Sequence, residues 1–179
     1  MEQRSEEWFA ARKGRVTASM VGAILGVSPN LSRAGAMRRM VRDAHGAEPE
    51  FTGNIATQYG ENNEAGAIAE YQMETGRTVN PVGFVTREDW AGCSPDGLIG
   101  DDGGLEVKCP FGKRKEGDLK PLDDQPHYYA QVQFSLWVTG RASNDTDPRP
   151  ARSGMAGRKP AEAAAIPCRV SGRGPSPAP

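Results

Sequence analysis

The chain has 179 residues, enough for one domain with its own core. Hydrophobic residues make up 37% and charged residues 25%, the range of a soluble globular protein slightly lean in apolar side chains. The formal net charge of −1 does not advertise a nucleic-acid binder, and no apolar run reaches membrane-span length.

The average charge hides an asymmetry. Residues 141–179 carry seven Lys/Arg against three Asp/Glu, a net of +4, and residues 1–140 carry a net of −5. The N-terminal MEQRSEEW is too polar for a signal peptide, so a cytoplasmic location is expected. The cysteines Cys93, Cys109 and Cys168 are odd in number and lack CxxC spacing, which points to reduced thiols rather than a zinc site, an iron–sulfur cluster or a disulfide framework.

Ser5-Glu6-Glu7-Trp8 reads as a helix start, with serine as the cap and the acids at the positive helix end. Trp8 and Arg12, four apart, are neighbours on one face, and Gly14 ends the helix. Thr17-Ala18-Ser19 opens a second helix with Thr17 or Ser19 as its cap. Free amides at such an end, with hydroxyls and an arginine beside them, can make an anion site or simple capping. Arg33–Ala44 is a third helix, and its Arg38, Arg39 and Arg42 form either a solvated face or one that follows a DNA backbone. His45–Thr52 reads as loop. Neither His45 nor His127 has a partner at metal-ligand spacing.

Ala56–Gly76 has the clearest helical pattern, with Ala65, Ile68, Ala69 and Met73 as its buried stripe and Gly76 closing it. Glu61, Glu64, Glu70 and Glu74 fall largely on the wet face. Thr78–Thr86 and Trp90–Ser94 read as strands, with Pro81 marking an edge or bulge.

The stretch Cys93–Phe111, CSPDGLIGDDGGLEVKCPF, carries the chemistry. Asp96 follows a proline, which biases the backbone before it toward extended. Gly100–Gly104 is turn chemistry, and Leu105–Cys109 alternates apolar with charged residues as a half-buried strand does. Glu106 and Lys108 then share one face, and Leu105, Val107 and Cys109 the other. Asp96 and Glu106 converge from adjacent strands and repel unless a cation lies between them. Few hard oxygen ligands suit Mg²⁺, with Mn²⁺ as its substitute. Lys108 can orient or deprotonate a water, or stabilise an oxyanion. Together with the strands over Thr78–Thr86 and Trp90–Ser94, Leu105–Cys109 would form a small mixed sheet packed against the long helix. Pro110–Pro126 is a polar loop with Lys113, Arg114, Lys115 and Lys120, and His127–Thr139 a helix with Ala130, Phe134 and Trp137 on one stripe and Gln131 and Ser135 on another.

PD, a short turn and ExK resemble the PD-(D/E)xK nuclease motif. SPDGL…GLEVKCPF followed by AQVQFSLWVTG closely resembles the bacteriophage lambda exonuclease family, the YqaJ-like viral recombinases, over about Glu7 to Gly140. The resemblance implies an α/β, restriction-endonuclease-like core. It implies a Mg²⁺-dependent deoxyribonuclease that digests double-stranded DNA from its ends, 5′ to 3′, in phage-type recombination. Asp96, Glu106 and the Val107 carbonyl would hold the metal. The family's WxxxRxGxxTAS segment implies that Arg12 and Ser19, with Thr17 and Ser94 nearby, hold the 5′ phosphate. Its GxxxE implies Glu64 at the metal site, and its AQVQ implies Gln131 beside Lys108. Homotrimers and a single-strand annealing protein as partner follow from the resemblance alone, as does a bacterial host cell.

The chain changes character at Arg141. Residues 141–179 hold seven of the fourteen prolines and no aromatic residue, a composition expected to be disordered. Family members continue with further strands and a helix, so this text reads as a shifted-frame translation or as a natural basic tail. Two rival readings stay open: a DNA-end-binding remnant without catalysis, and an endonuclease of another PD-(D/E)xK branch.

Overall fold

The structure, a computed structural model, describes residues 1–47, 53–111, 121–141, 143–144 and 166–167. It has a mixed α/β architecture of helices around small sheets. In chain order come α1 (Glu6–Arg12), β1 (Val16–Thr17), α2 (Ala18–Ile24), α3 (Arg33–Ala44) and α4 (Ile55–Thr75). Strands β2 (Val79–Asn80), β3 (Val85–Arg87), β4 (Ala91–Cys93), β5 (Gly97–Ile99), β6 (Gly103–Leu105) and β7 (Val107–Lys108) follow. Helix α5 (Pro126–Thr139), β8 (Ser143–Asn144) and β9 (Ile166–Pro167) complete the described elements.

Strand pairing divides into three groups. Strand β1 runs parallel to β4, and β3 pairs antiparallel on its other side. A four-stranded sheet has the order β2-β5-β6-β8. Strand β7 pairs in parallel with β9. The single strand expected over Thr78–Thr86 is therefore two strands in different sheets. It stops at Asn80 because Pro81 has no N–H to continue a ladder, and β2 lies at a sheet edge. The strand expected over Leu105–Cys109 is likewise interrupted at Glu106, between β6 and β7. The turn of the central hairpin takes only Gly100–Asp102, with Gly100 at φ 52°, so Gly103 and Gly104 belong to β6.

Helix ends follow local chemistry. The Ser5 hydroxyl accepts from the Trp8 amide at 3.2 Å and opens α1. Asn54 caps α4 by accepting from Thr57 at 3.0 Å, and Gly76 closes it in the left-handed region at φ 68°, where glycine carries no Cβ penalty. The buried side of α4 is turned from the expected stripe. Ala67 and Tyr71 are buried, Ile68 is half-buried, and Met73 is 85% exposed. Helix α4 packs this side on Val79, Ile99, Leu105 and Val107 of the hairpin sheets. The polar residues Asn63, Glu64 and Thr75 share that side, so apolar spacing alone misreads the register.

Helix α5 is covered on more than one side. Ala130, Val132, Ser135, Leu136 and Val138 are buried, whereas Trp137 of the expected stripe is 38% exposed. One side joins Ala18, Ala91 and Cys93 through Val138 and Phe134, and another gathers Leu122, Val132, Leu136 and Tyr128. Arg141, expected to open the tail, instead donates to the carbonyls of Ile99 (3.3 Å), Gly100 (3.0 Å) and Gly103 (2.6 Å). It ties the end of α5 to the hairpin turn. Beyond it, β8 lies along β6 and β9 along β7. The rest of the segment expected to be disordered lies outside the described residues, as do Cys168 and the lysines and arginine of 112–120.

Helices α2 and α5 touch at Gly22. A Cβ there would lie 2.9 Å from the Cβ of His127 and 3.0 Å from its Cα, and backbone cannot yield as a side-chain tip can. Gly22→Ala should destabilise the fold by about 1–3 kcal/mol through overpacking. Gly66→Ala, in α4 with nothing within 4 Å of the new methyl, should stabilise it by up to about 1 kcal/mol through helix propensity. Urea unfolding of both variants checks the pair, and equal midpoints would remove the close-approach argument.

Candidate active site

Asp96 stands at the entrance to β5, directly after Pro95. Its amide donates to the Leu105 carbonyl at 3.1 Å, and its Oδ2 accepts from the Val107 amide at 2.5 Å. The carboxylate is thus fastened across the hairpin to the peptide that follows Glu106. Glu106 is 4% exposed. Its Oε1 accepts from Lys108 Nζ at 2.6 Å and also from Gln131 Nε2 on α5. Alternation along the chain puts Glu106 and Lys108 on one side, as expected, and Leu105 and Val107 pack together on the other with Cys109.

Electrostatics ties Glu64 to this group. Burial pushes the Glu64 carboxyl above the ordinary range; Arg4 opposes this, and the charge of Glu106 adds to it. Asp96 is held well above its ordinary value, first by burial, then by Glu106 and Glu64, with Lys108 and the Val107 amide opposing. Burial would depress the Lys108 ammonium, but Glu106 and Asp96 outweigh it and raise the amine above its usual range. Three carboxylates facing one ammonium leave surplus negative charge. Among the described residues no three of His, Cys, Asp and Glu form a metal cage. What remains is a pair of acids on a buried hairpin. Such a donor set fits a hard cation that takes its remaining ligands from water and phosphate.

The sequence-expected residues fall into two groups. Asp96, Glu106, Lys108, Gln131 and Glu64 make the first. Gln131 meets Lys108 through their shared acceptor, Glu106, instead of reaching the lysine directly. Arg12, Thr17, Ser19 and Ser94 make the second. The Trp8 indole N–H donates to Ser94 Oγ at 2.8 Å, and the Arg12 guanidinium lies 4.1 Å above the Trp8 ring and 5.7 Å from that of Phe84. Thr17 and Ser19 hydroxyls are 3.3 Å apart. Parallel pairing of Thr17 with Gly92 brings the start of α2 and the stretch leading to Ser94 to the same end of β1 and β4. Burial lowers the Arg12 pKa and Asp43 opposes it, but a guanidinium stays charged.

Of two further residues in the site, the sequence reading missed Tyr128 and took Trp8 only as a neighbour of Arg12 on one helix face. Tyr128 presents its ring 5.1 Å from Lys108 Nζ, and Trp8 bridges Arg12 and Ser94. Tyr128 precedes Gln131 by three residues, a spacing that puts both on one helix side, so the signal was present. The Trp8–Ser94 contact spans 86 residues and has no local signature. Cys93 contributes no thiolate: burial pushes its thiol up to about 12.

Residues 7–142 match the model of the YqaJ-like viral recombinase domain. Among solved structures the chain is similar to LHK-Exo, an alkaline exonuclease from Laribacter hongkongensis. The identity is 35% and the TM-score 0.62, over 79% of this chain and 75% of that chain. LHK-Exo in complex with dAMP gives 37% and 0.63, over 77% and 70%. A phage-related exonuclease from Haemophilus somnus 129PT shares the fold at 19% identity and TM-score 0.57, over 72% and 64%. No curated protein matches the sequence significantly.

The elevated Asp96 pKa has a consequence for stability. A carboxyl with a folded pKa above its unfolded value of about 3.9 holds its proton more tightly when folded. Folding is then favoured while the proton is on, and that advantage is lost as pH rises through the folded value. In metal-free buffer at pH 7, Asp96→Asn keeps the acceptor for Val107 and should unfold at a higher midpoint than wild type. The gap should close as pH falls toward about 4. Coincident thermal midpoints at pH 7 would contradict the assignment.

Proposed function

Because the chain belongs to the family of YqaJ-like viral recombinase domains, we propose that it is a metal-dependent exodeoxyribonuclease that digests double-stranded DNA from its ends. The observation that carries this reading is the shared Glu106 oxygen, which accepts from both Lys108 and Gln131 beside Asp96. Asp96, Glu106 and the Val107 carbonyl would hold Mg²⁺ or Mn²⁺, with Glu64 nearby. The bound ion supplies Lewis-acid neutralisation of phosphate charge and a more acidic water. Glu106 and Asp96 favour the charged form of Lys108, which donates to Glu106 at 2.6 Å. Lys108 therefore acts here as a donor that orients water or a phosphate oxygen, not as a base. Gln131 holds Glu106 in place and offers an amide to the same phosphate. Attack of the water oxygen on phosphorus breaks the P–O3′ bond. The phosphate stays on the 5′ side of the remaining strand, and the leaving oxygen takes a proton.

Arg12, Thr17, Ser19 and Ser94 would receive the terminal 5′ phosphate, giving 5′ to 3′ polarity. Arg12 is pre-positioned for this by stacking on Trp8, itself hydrogen-bonded to Ser94. Residues 1–140 make the nuclease domain in this reading. A homotrimer, a single-strand annealing partner, a recombination role and a cytoplasmic site in a bacterial host extend it by family resemblance.

The protein should digest linear duplex DNA in Mg²⁺ and leave covalently closed circles intact. Lys108→Ala should lower the rate by about 100-fold or more; equal digestion by the variant would reject the role given to Lys108, and cleavage of circles would make the enzyme an endonuclease. Mg²⁺ should raise the thermal midpoint of wild type and not that of Asp96→Asn, a readout independent of turnover. Tyr128 serves as a positioning residue for Lys108. Tyr128→Phe should retain activity, and Tyr128→Leu should lose about tenfold in kcat at unchanged KM, the scale of one cation–π contact. An equal loss in both variants would show that the ring is not what matters.

A further inference from the structure

Helix α3 is charged out of proportion to the rest of the chain. Its twelve residues, RAGAMRRMVRDA, hold four arginines and one acid, while the whole chain carries −1. Ala36 is its one buried residue. Arg33 has a structural task, since its guanidinium donates to the carbonyls of Ile24 (2.8 Å) and Leu25 (3.4 Å) and closes α2. Arg38, Arg39 and Arg42 are exposed. At 3.6 residues per turn they span an arc of about 100°, whose Arg38 edge lies opposite Ala36 and whose Arg39 edge lies about 60° from it.

The last turn of this helix lies near the group read above as the receiver of the DNA end. The charge of Asp43 reaches Arg12 and opposes the burial that lowers its pKa, and the Lys13 ammonium lies against Gly46, just past the helix end. From there the contacts run through Trp8 to Ser94, two residues before Asp96. The arginine arc thus begins beside the terminal-phosphate group and extends away from it. From Arg38 to Arg42 the helix rises about 6 Å, the length of about two base pairs of duplex.

We propose that the Arg38–Arg39–Arg42 arc of α3 is a contact surface for the phosphate backbone of the duplex behind the end being digested. This rests on the exonuclease reading and adds the surface that holds the uncut substrate. An enzyme with a surplus of carboxylates at its centre repels a polyanion, and a local cationic face offsets that repulsion where the substrate must lie. Each phosphate neutralised releases a counterion, so the contact is read as a slope against salt.

The test uses the full chain in a Lys108→Ala background with Mg²⁺, to limit digestion, and a 5′-phosphorylated, fluorescein-labelled duplex. Fluorescence anisotropy gives Kd between about 50 and 300 mM KCl, a range over which phosphate contacts dominate the salt response. Arg38→Gln/Arg39→Gln should weaken binding and lower the slope of log Kd against log salt by about 1.8, the loss of two phosphate contacts. Glutamine is a good helix former, so the unfolding midpoint should hold. Arg77→Gln, beside the pocket formed with Asn80 and Asp102, should leave the slope unchanged. With Lys108 intact, the double variant should raise KM for duplex and keep kcat. An unchanged slope in the double variant, or an equal fall in Arg77→Gln, overturns the surface and leaves the exonuclease reading standing. Absence of duplex binding and digestion by the wild-type chain overturns both.

Discussion

Two carboxylates cannot share a buried hairpin without compensation, and much of the structure around Glu106 supplies it. A buried charge is tolerated when it is paired and hydrogen-bonded. Glu106 receives an ammonium from its own strand and an amide from α5 on one oxygen. Asp96 receives a backbone amide from the opposite strand. These bonds need α5 close to the hairpin, which in turn needs the approach at Gly22 and the anchoring of Arg141 to the hairpin turn. Removing one partner would leave the other buried without its counterpart, so the side chains read as catalytic are also structural.

The compensation is incomplete, and the incompleteness is informative. Asp96 and Glu64 both hold their protons above the ordinary range. Such elevation comes first from burial, with the charge of Glu106 adding to it and Lys108 only partly opposing it. A structural ion pair would have pushed these acids the other way. Perturbed acids gathered at one point of a fold are where function concentrates. The strand break at Glu106 fits the same picture. A continuous ladder would have held Glu106 as one more alternating side chain, whereas the interruption lets β6 join one sheet and β7 another with the acid between them.

Much of the site was legible because its residues are close in sequence. Asp96, Glu106 and Lys108 lie within thirteen residues, and period-two alternation with a glycine turn predicts their convergence. The bounds of α3 also emerged from the sequence, since Ser32 and the residues after Ala44 carry plain start and stop signals. The side of α4 that packs did not emerge. Apolar spacing assumes that buried means apolar, and here Asn63, Glu64 and Thr75 face inward with Ala67 and Tyr71. The acceptor of Gln131 and the Trp8–Ser94 bond depend on contacts across 25 and 86 residues, which no local pattern records.

The distribution of charge makes the functional reading coherent. Net charge near zero would suggest indifference to DNA, but what a polyanion meets is local potential. On one side lie the acids Asp96, Glu106 and Glu64 with the ammonium of Lys108. On the other lie Arg12, its guanidinium carbon 4.1 Å from the centre of the Trp8 ring, and the arginines of α3. A guanidinium held over an aromatic ring is ordered during folding and has little further freedom to lose. The same arrangement explains why the cationic residues stand apart from the acids. Placed among the acids, cationic side chains would pair with them directly; set one helix away, they leave the local charge of the acidic group in place.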